Sequence, residues 1–265
     1  MFIDAHAHAA QDWTMEAVEE GLKRTGVDRV LLAASPLDYY PVAGNEACAR
    51  IVERFPDRIW GLIGIHPPDE DASLRALDRY HGKGFAGVKL MTTAGYYPDD
   101  ERYRRVFEEV GARNMIVLTH CGWAIGNPDK PPLGQCTLCS DPYHFEPFLR
   151  LYPDADVIFA HGGGRTLFPG ALNLVHYHPN AWVDTCPGNG PWVFRHGGPY
   201  LDFSIWDQVL FGTDDCYGNL ARSRAPEKAA QMREILDETG RGEHTEAVFG
   251  GNAARLLEGR DPWKA

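Results

Sequence analysis

The sequence has few cysteines and no long apolar run, and each shortage excludes a class of protein. Six cysteines in 265 residues are too sparse for a disulfide scaffold, so a reducing, cytoplasmic environment is expected. No apolar stretch is long enough to cross a bilayer, which predicts no membrane partner. Met1 leads directly into a strand pattern without a basic and apolar leader, so no secretion signal is expected.

Positive charge is also in deficit. The 26 lysines and arginines are outnumbered by 37 aspartates and glutamates, which gives a formal net charge of −11. An extended surface for nucleic acid is therefore not expected, and a small molecule is the expected partner. No internal repeat, low-complexity segment or linker divides the chain, which predicts a single domain over residues 1–265.

Eight short apolar runs are typical of buried strands, and helical patterns follow most of them. The runs do not alternate apolar with polar residues, as expected for parallel strands that are covered on the other face. The predicted strands are residues 2–5, 29–34, 59–65, 85–90, 115–119, 155–160, 181–185 and 208–212. The predicted helices are residues 15–24, 45–55, 71–80, 99–113, 143–151, 165–176, 225–239 and 243–257.

Eight strand–helix units in a chain of this length predict a (β/α)₈ TIM barrel, whose typical size is about 250 residues. The competing architecture is a doubly wound open sheet, which more often carries a glycine-rich phosphate turn after the first strand. No such turn is present in this sequence. The C-terminal ends of barrel strands gather at one rim, where catalytic residues lie. Exposed barrel helices often pair, which leaves a homodimer open.

Two histidines stand close together at the end of the first predicted strand. His6 and His8 are two residues apart, and residues i and i+2 of an extended chain point to the same side. Both imidazoles are therefore expected to converge on one point. Imidazole is the commonest metal-ligating side chain at neutral pH, so the pair predicts a metal site. Two chance histidines near a terminus are the alternative.

The ends of four other strands favour the metal interpretation. Each carries a residue that could ligate or adjoin a cation, and these are Lys89, His120, His161 and Asp214. Nitrogen and carboxylate ligands without a thiolate suit Zn²⁺, with Mn²⁺ and Fe²⁺ as alternatives. Three or four protein ligands leave a position for water, which is typical of a catalytic site.

This ordered set resembles the amidohydrolase superfamily, especially the amidohydrolase-related branch that includes aminocarboxymuconate-semialdehyde decarboxylase and small hydrolases and lactonases. The resemblance extends from Asp4-Ala5-His6-Ala7-His8 to Gly250-Gly251-Asn252-Ala253-Ala254-Arg255-Leu256-Leu257, the usual closing helix of the branch. It implies one metal held by four residues, which are His6, His8, His120 and Asp214.

The resemblance leaves three residues with alternative roles. His161 would be catalytic or would bind a second metal. Lys89 would be carbamylated and bridge two metals, or would pair with a carboxylate at the rim. Asp215, beside Asp214, would support the ligands from behind or face solvent.

A metal-dependent hydrolase of a small amide, ester or lactone is the function that the resemblance favours. Asp214 would accept a proton from an activated water and pass it to the leaving group, while His161 would hydrogen-bond the substrate carbonyl. The first alternative is a non-oxidative decarboxylase of a small carboxylic acid, aromatic acids included, in which Asp214 or His161 delivers a proton to carbon. A barrel that binds a ligand without turnover is disfavoured by the retention of five potential ligands.

A TatD-like metal-dependent nuclease is the remaining alternative. Its Gly-Ile-His-Pro run recurs here around His66, which would touch substrate or pack against the following prolines. The fourth strand, however, carries Lys89 where that branch would have a glutamate. The negative net charge also argues against DNA.

Other residues near the predicted rim have weaker signals. Aromatic and arginine side chains there would grip a planar or carboxylated substrate, or would only pack and pair at the surface. These residues are Tyr96, Tyr97, Trp123, Arg165, Trp192 and Arg195. Asp4 would orient a ligating imidazole, or would cap local amides.

Cys136 and Cys139 form a Cys-x-x-Cys pair in a long loop rich in glycine and proline. A single pair is half of a zinc-binding set, which Cys121 and His144 could complete. Two ordinary thiols are the favoured interpretation. A redox pair is disfavoured because the thioredoxin context is absent.

Overall fold

The computed structural model describes residues 1–37, 42–122, 136–218 and 224–264. Its strands are β1 Ile3–Ala9, β2 Arg29–Ala33, β3 Ile59–Gly64, β4 Phe85–Leu90, β5 Ile116–Thr119, β6 Asp156–Phe159, β7 Ala181–Asp184, β8 Val209–Leu210 and β9 Asp215–Tyr217. All of their pairings are parallel, in the order β8-β7-β6-β5-β4-β3-β2-β1-β9. Buried side chains therefore cover both faces of one curved sheet.

Helices follow the strands and pack on the outside of the sheet. They are α1 Met15–Thr25, α2 Asn45–Arg54, α3 Glu70–Tyr80, α4 Arg104–Ala112, α5 Glu146–Leu151, α6 Phe168–Tyr177, α7 Gly190–His196, α8 Ala225–Glu238 and α9 Asn252–Leu257. The sequence pattern does not predict α7, because glycine and proline dominate its start. Proline is nevertheless compatible with a first helical turn. None of the described helices is long and apolar enough to span a bilayer.

The eighth barrel strand is divided into β8, which pairs with β7, and β9, which pairs with β1. The residues between the two segments form backbone hydrogen bonds with β1. Ala5 N donates to Phe211 O at 2.9 Å, and Asp214 N donates to His6 O at 2.7 Å. These bonds join the last strand to the first, so the sheet closes on itself. The predicted (β/α)₈ TIM barrel is confirmed, and the open doubly wound sheet is excluded.

Two apolar layers surround the sheet. The outer layer lies between strands and helices, and the inner layer fills the barrel and is closed at one end by α9. Inner side chains from six different strands include Ile3, Leu31, Leu62, Leu118, Ile158 and Leu210. A filled interior leaves the opposite rim as the place for polar chemistry.

The first strand is longer than predicted and contains both histidines. Ala5 packs in the inner layer, whereas Ala7, two residues later, packs in the outer layer. Strict alternation would place both on one face, but the register between β1 and β2 shifts at this point. His6 and His8 consequently share the inner face of the barrel, at its rim.

Candidate metal centre

The His6 and His8 imidazoles of β1 are each fixed by a hydrogen bond from Nδ1 to an acceptor oxygen. Their ring centroids lie 5.2 Å apart. His8 Nδ1 donates to Ala33 O at 2.8 Å, and His6 Nδ1 donates to the Asp184 carboxylate at 2.8 Å. Because a carbonyl or carboxylate oxygen only accepts, each neutral ring carries its proton on Nδ1. In that form, Nε2 of His6 and of His8 carries no proton and can accept a hydrogen bond or bind a cation at the rim.

Asp214, between β8 and β9, lies opposite these two rings. Its Oδ1 is 3.1 Å from His8 Nε2 and 3.6 Å from His6 Nε2. Ligand atoms of the three residues all lie within 4.8 Å of one another. A carboxylate oxygen and an imidazole lone pair 3.1 Å apart repel unless a proton or a cation lies between them. The donor set and spacing thus fit a divalent cation held by nitrogen and oxygen.

The negative charge of Asp214 also favours the binding of a divalent cation. Burial alone would raise the pKa of its carboxyl, but His8, His6 and His161, in the forms that carry a proton toward Asp214, hold that pKa well below its usual value. Asp214 has a φ of 51°, in the left-handed region that few residues other than glycine adopt. The short bond from its amide to His6 O offsets part of this strain.

Asp4 supports the turn before Asp214 and does not contact an imidazole ring. The backbone N and Oγ1 of Thr213 donate to its carboxylate at 3.0 and 2.6 Å, and His6 N donates at 3.3 Å. Burial raises the pKa of Asp4 to about 7, although these bonds act in the opposite direction. Of the two roles considered for Asp4, the geometry matches the capping of backbone amides.

Asp215 is buried and supports the same turn from the other side. Its Oδ1 accepts from Lys228 Nζ at 3.2 Å, and its Oδ2 accepts from Arg224 N at 2.7 Å. Lys228 Nζ also donates to Thr213 O at 2.8 Å. The backbone beside Asp214 is therefore tied to α8 by Lys228 and to Arg224, the residue before that helix, and Asp215 does not face solvent.

We expect Lys228→Met to lower the affinity for divalent cations by about tenfold, as the loss of an outer partner of a ligand usually does. The reason is that the turn carrying Asp214 loses its link to α8. Isothermal titration calorimetry with Zn²⁺ measures the change, and Lys228→Arg should recover most of it. Glu227→Gln, on the exposed side of the same helix, is the matched control. Equal affinities in Lys228→Met and wild-type protein would contradict the prediction.

His161 and His120 lie next to this group. Their ring centroids are 4.8 Å apart, and the His161 ring lies 5.6 Å from that of His6. His161 Nδ1 donates to Pro187 O at 3.0 Å, which leaves its Nε2 lone pair available. His161 also has a left-handed φ of 59° and donates its amide to Asp184 at 2.7 Å.

His120 shows the strongest sign of a missing partner. The residue is 7% exposed, and its Nε2 is buried without a hydrogen-bond partner in the described part of the chain. Burial, His161 and Lys89 hold the pKa of His120 well below its usual value, so the ring is neutral. A buried neutral nitrogen with no partner is costly, and a cation would satisfy it.

Glycines allow the loops carrying His120 and His161 to come close. Gly164 has a φ of 79°, and a Cβ added there would lie 2.6 Å from the Cα of Gly122. Only a residue without a side chain fits this contact between the segments after β5 and β6. The Gly-rich run after His161 thus has a direct packing reason.

Lys89, in β4, contacts an imidazole. Its Nζ lies 3.0 Å from His6 Nε2, and the residue is 4% exposed. Burial lowers the pKa of Lys89, although the Asp214 and Asp184 carboxylates act in the opposite direction. The amine therefore donates to the lone pair that a cation would use. Carbamylation of Lys89 stays a prediction.

Asp184, at the end of β7, is a site residue that the sequence motifs do not include. It accepts from three donors, namely His6 Nδ1, His161 N and, at 3.0 Å, Cys186 N. Burial would raise the pKa of Asp184, but the His6 imidazole and the hydrogen bonds lower it below its usual value. One carboxylate thus fixes two histidines. An aspartate closing an apolar strand, as Asp214 does, was the available signal.

The family is shown by sequence comparison. The sequence model of the family described as Amidohydrolase matches residues 3–259. The chain belongs to the amidohydrolase family. No curated protein matches it significantly.

Solved structures similar to this chain include proteins named for two reaction types, hydrolysis and decarboxylation. A probable 2-pyrone-4,6-dicarboxylic acid hydrolase from Acinetobacter baumannii, with citric acid bound, is 16% identical with a TM-score of 0.66, covering 97% of this chain and 98% of that one. The 5-carboxyvanillate decarboxylase from Sphingomonas paucimobilis is 15% identical with a TM-score of 0.63, covering 96% and 98%. The 2,6-dihydroxybenzoate decarboxylase from Rhizobium is 13% identical with a TM-score of 0.64, covering 97% and 98%. At these identities the likeness shows the fold alone.

A second group of potential ligands in this chain is already satisfied. Atoms of His6, Asp184 and Cys186 also lie within 4.8 Å of one another, with Cys186 Sγ 3.1 Å from His6 Nδ1. The His6 Nδ1 proton, however, is bonded to Asp184. Burial also raises the pKa of the Cys186 thiol well above its usual value, which disfavours the thiolate that a metal requires.

The predicted substrate-binding residues make other contacts. Arg165 stacks on the Trp192 ring, 4.5 Å from its centroid, and Arg195 pairs with Glu238 at 2.7 Å. Trp123 lies outside the described residues. A role in substrate binding stays a prediction for Trp123, Arg165 and Arg195.

His66 and the aromatic residues near it form a packed group. The His66 ring meets the edge of Tyr96 at 5.5 Å, and burial lowers the pKa of His66. Tyr97 packs on His144, with ring centroids 4.6 Å apart. His66 therefore packs on an aromatic ring, and its contact with substrate stays a prediction.

The four residues considered as a zinc set do not form one among the described residues. They are Cys121, Cys136, Cys139 and His144. His144 Nδ1 lies 3.0 Å from the Asp99 carboxylate, and Cys121 Sγ donates to Thr119 O at 3.8 Å. Both side chains are therefore engaged away from the Cys-x-x-Cys pair.

Proposed function

We propose that this chain is a metal-dependent hydrolase of a small-molecule amide, ester or lactone, acting at the C-terminal rim of the barrel. The observation that carries the proposal is the convergence of His6 Nε2, His8 Nε2 and Asp214 Oδ1 within 4.8 Å. Family membership supports it, because the matched region includes all three residues. The acceptors on both Nδ1 atoms add support, since they prepare the rings as ligands before any cation arrives.

The proposed ligands are His6, His8 and Asp214, with His120 as the fourth because its buried Nε2 lacks another partner. Their nitrogen and oxygen donors favour Zn²⁺, with Mn²⁺ and Fe²⁺ as alternatives. A divalent cation in such a site acts as a Lewis acid that polarises a substrate oxygen and makes water more acidic.

The chain's own residues would then handle protons and orientation. The ionised carboxylate of Asp214 accepts a proton and passes it to the leaving group. His161 Nε2, whose ring is held through Nδ1 on Pro187 O, hydrogen-bonds the substrate carbonyl or the developing negative charge. Asp184 holds His6 and His161 in position relative to each other, because one of its oxygens bonds to the His6 ring and the other to the amides of His161 and Cys186.

A non-oxidative decarboxylase of a small carboxylic acid is the second candidate. Two of the similar solved structures are decarboxylases of aromatic acids, and the same rim residues would serve that reaction. Asp214 or His161 would then carry a proton to carbon instead of to a leaving group. The substrate carboxylate would occupy the place that the hydrolytic water takes in the first proposal.

One assay separates the two candidates. Purified protein loaded with Zn²⁺ or Mn²⁺ is tested on lactones, esters, amides and aromatic acids, in water enriched in ¹⁸O, with Asp214→Asn as the inactive control. Label in a hydrolysis product supports the hydrolase, and CO₂ release from an acid without such label supports the decarboxylase. Label incorporation that persists in Asp214→Asn would overturn the assigned roles.

A further inference from the structure

Cys136 and Cys139 lie on one tight turn near the rim. A 3₁₀ turn spans Thr137–Ser140, and Cys139 N donates to Cys136 O at 3.1 Å. A turn closed by such a bond keeps the two Cα atoms within about 7 Å of each other. A disulfide spans Cα separations of about 4.4–6.8 Å, so the backbone already holds these residues near bonding geometry.

The two thiols differ in exposure and in character. Cys136 is half-buried, whereas Cys139 is 3% exposed, and both lie within hydrogen-bonding reach of each other and of the Tyr97 hydroxyl. The contact with Cys139 lowers the pKa of Cys136, and burial raises the pKa of Cys139 to about 11. An accessible thiol with more thiolate character beside a buried partner is the arrangement that thiol–disulfide exchange requires.

We propose that Cys136 and Cys139 form a reversible disulfide by exchange with a low-molecular-weight disulfide. Cys136 Sγ attacks one sulfur of the small disulfide, whose S–S bond breaks and releases one small thiol. Cys139 Sγ then attacks Cys136 Sγ in the mixed disulfide and displaces the second small thiol. Two electrons pass from the protein to the small disulfide, and the two thiol protons leave on the released thiols.

The structure gives a reason for redox activity that the Cys-x-x-Cys pattern alone does not give. A Cys-x-x-Cys pair outside a thioredoxin fold gives no reason for redox activity, but the i to i+3 turn and the unequal burial do. The site is separate from the metal ligands, and the proposal does not rest on the proposed hydrolase activity.

The turn connects two segments that follow barrel strands. Cys136 N donates to Thr93 O at 2.9 Å, in the segment after β4, and Gly122 N donates to Ser140 Oγ at 3.1 Å, in the segment after β5. Oxidation would therefore place a disulfide in the turn that connects the segment after β4, the strand of Lys89, with the segment after β5, which begins at His120. The disulfide forms beside the metal centre without consuming any of its ligands.

The test uses the reduced full-length protein in buffers of set oxidised-to-reduced glutathione ratio, followed by alkylation and peptide mass spectrometry. We expect a peptide linked through Cys136 and Cys139 to accumulate and to disappear on return to reduced glutathione. Cys139→Ser should stop at glutathione attached to Cys136, and Cys136→Ser should abolish both products. Cys216→Ser, which removes another half-buried thiol, should leave the linked peptide unchanged.

Two outcomes would overturn the proposal. One is oxidation that reaches Cys216 before the pair. The other is a Cys139→Ser protein that carries no glutathione on Cys136 under conditions that oxidise the wild type. Thermal unfolding of each variant confirms that the comparison is made between folded proteins. As a second measurement, the rate at which an alkylating reagent labels Cys136 is compared in wild type and Cys139→Ser.

Discussion

Asp214→Asn and His8→Ala should each remove bound metal from the purified protein and lower the affinity for Zn²⁺ by more than about 100-fold, beyond the usual effect of losing an outer partner. His8 Nε2 and Asp214 Oδ1 face each other at 3.1 Å, so each variant removes one of the two proposed ligand atoms on either side of the cation. Asparagine tolerates the left-handed φ of 51° at position 214, so that variant keeps the turn while losing the charge. Elemental analysis and calorimetry measure the loss.

His144→Ala is the matched control for these two variants. His144 pairs with Asp99 away from the three-residue group, so its removal should leave metal content unchanged. Wild-type metal content in both His8→Ala and Asp214→Asn would contradict the assignment. Thermal denaturation without added metal shows whether any loss arises from unfolding.

Asp184→Asn should lower metal affinity by about 10–100-fold although residue 184 is not itself a proposed ligand. Both Asp184 oxygens now accept, one from His6 Nδ1 and the other from the amides of His161 and Cys186. In asparagine only one of these atoms accepts, and the other becomes an NH₂ donor. If the oxygen keeps the two amides, the NH₂ faces His6 Nδ1 and moves the ring proton to Nε2. The lone pair that would bind the cation is then lost.

The same substitution should lower the free energy of unfolding by only about 1–3 kcal/mol, the cost of one poorly satisfied buried group. Asp156→Asn is the control, because Asp156 is a half-buried aspartate in a neighbouring strand and accepts from Trp182 Nε1 at 2.6 Å. It should destabilise the barrel and leave metal affinity unchanged. Equal metal affinities for Asp184→Asn and Asp156→Asn would contradict the tautomer argument. Calorimetry measures the metal affinity of both variants, and denaturant unfolding measures their free energy of unfolding.

The barrel and the rim residues are predictable because parallel strands buried on both faces leave uninterrupted apolar runs. Once the strands are placed, topology alone brings His6, His120 and Asp214 to one end of the barrel. The predicted strand, however, ends at Ala5, while β1 continues to Ala9. Its later residues are paired with β2 and β9, and no local pattern in the first strand reports those partners.

The role of Asp184 could not be deduced in the same way. An aspartate at a strand end can cap amides, bind a cation or orient a ligand, and its residue type is the same in all three cases. Asp4 and Asp184 illustrate this ambiguity, since Asp4 caps a turn and Asp184 fixes the His6 imidazole. Only the packing of β7 against β1 across the barrel distinguishes them. The same holds for Lys228, whose partner Thr213 O is a backbone atom without a sequence signal.

The divided eighth strand has a consequence for biosynthesis. The bond between Thr213 and Asp4 joins residues 209 positions apart, and the contact of Asp214 with β1 depends on the same seam. Contacts between such distant residues form late in folding, because a long stretch of chain must first be ordered. A nascent chain therefore cannot bring the three residues together until Asp214 has been synthesised, however early His6 and His8 emerge from the ribosome.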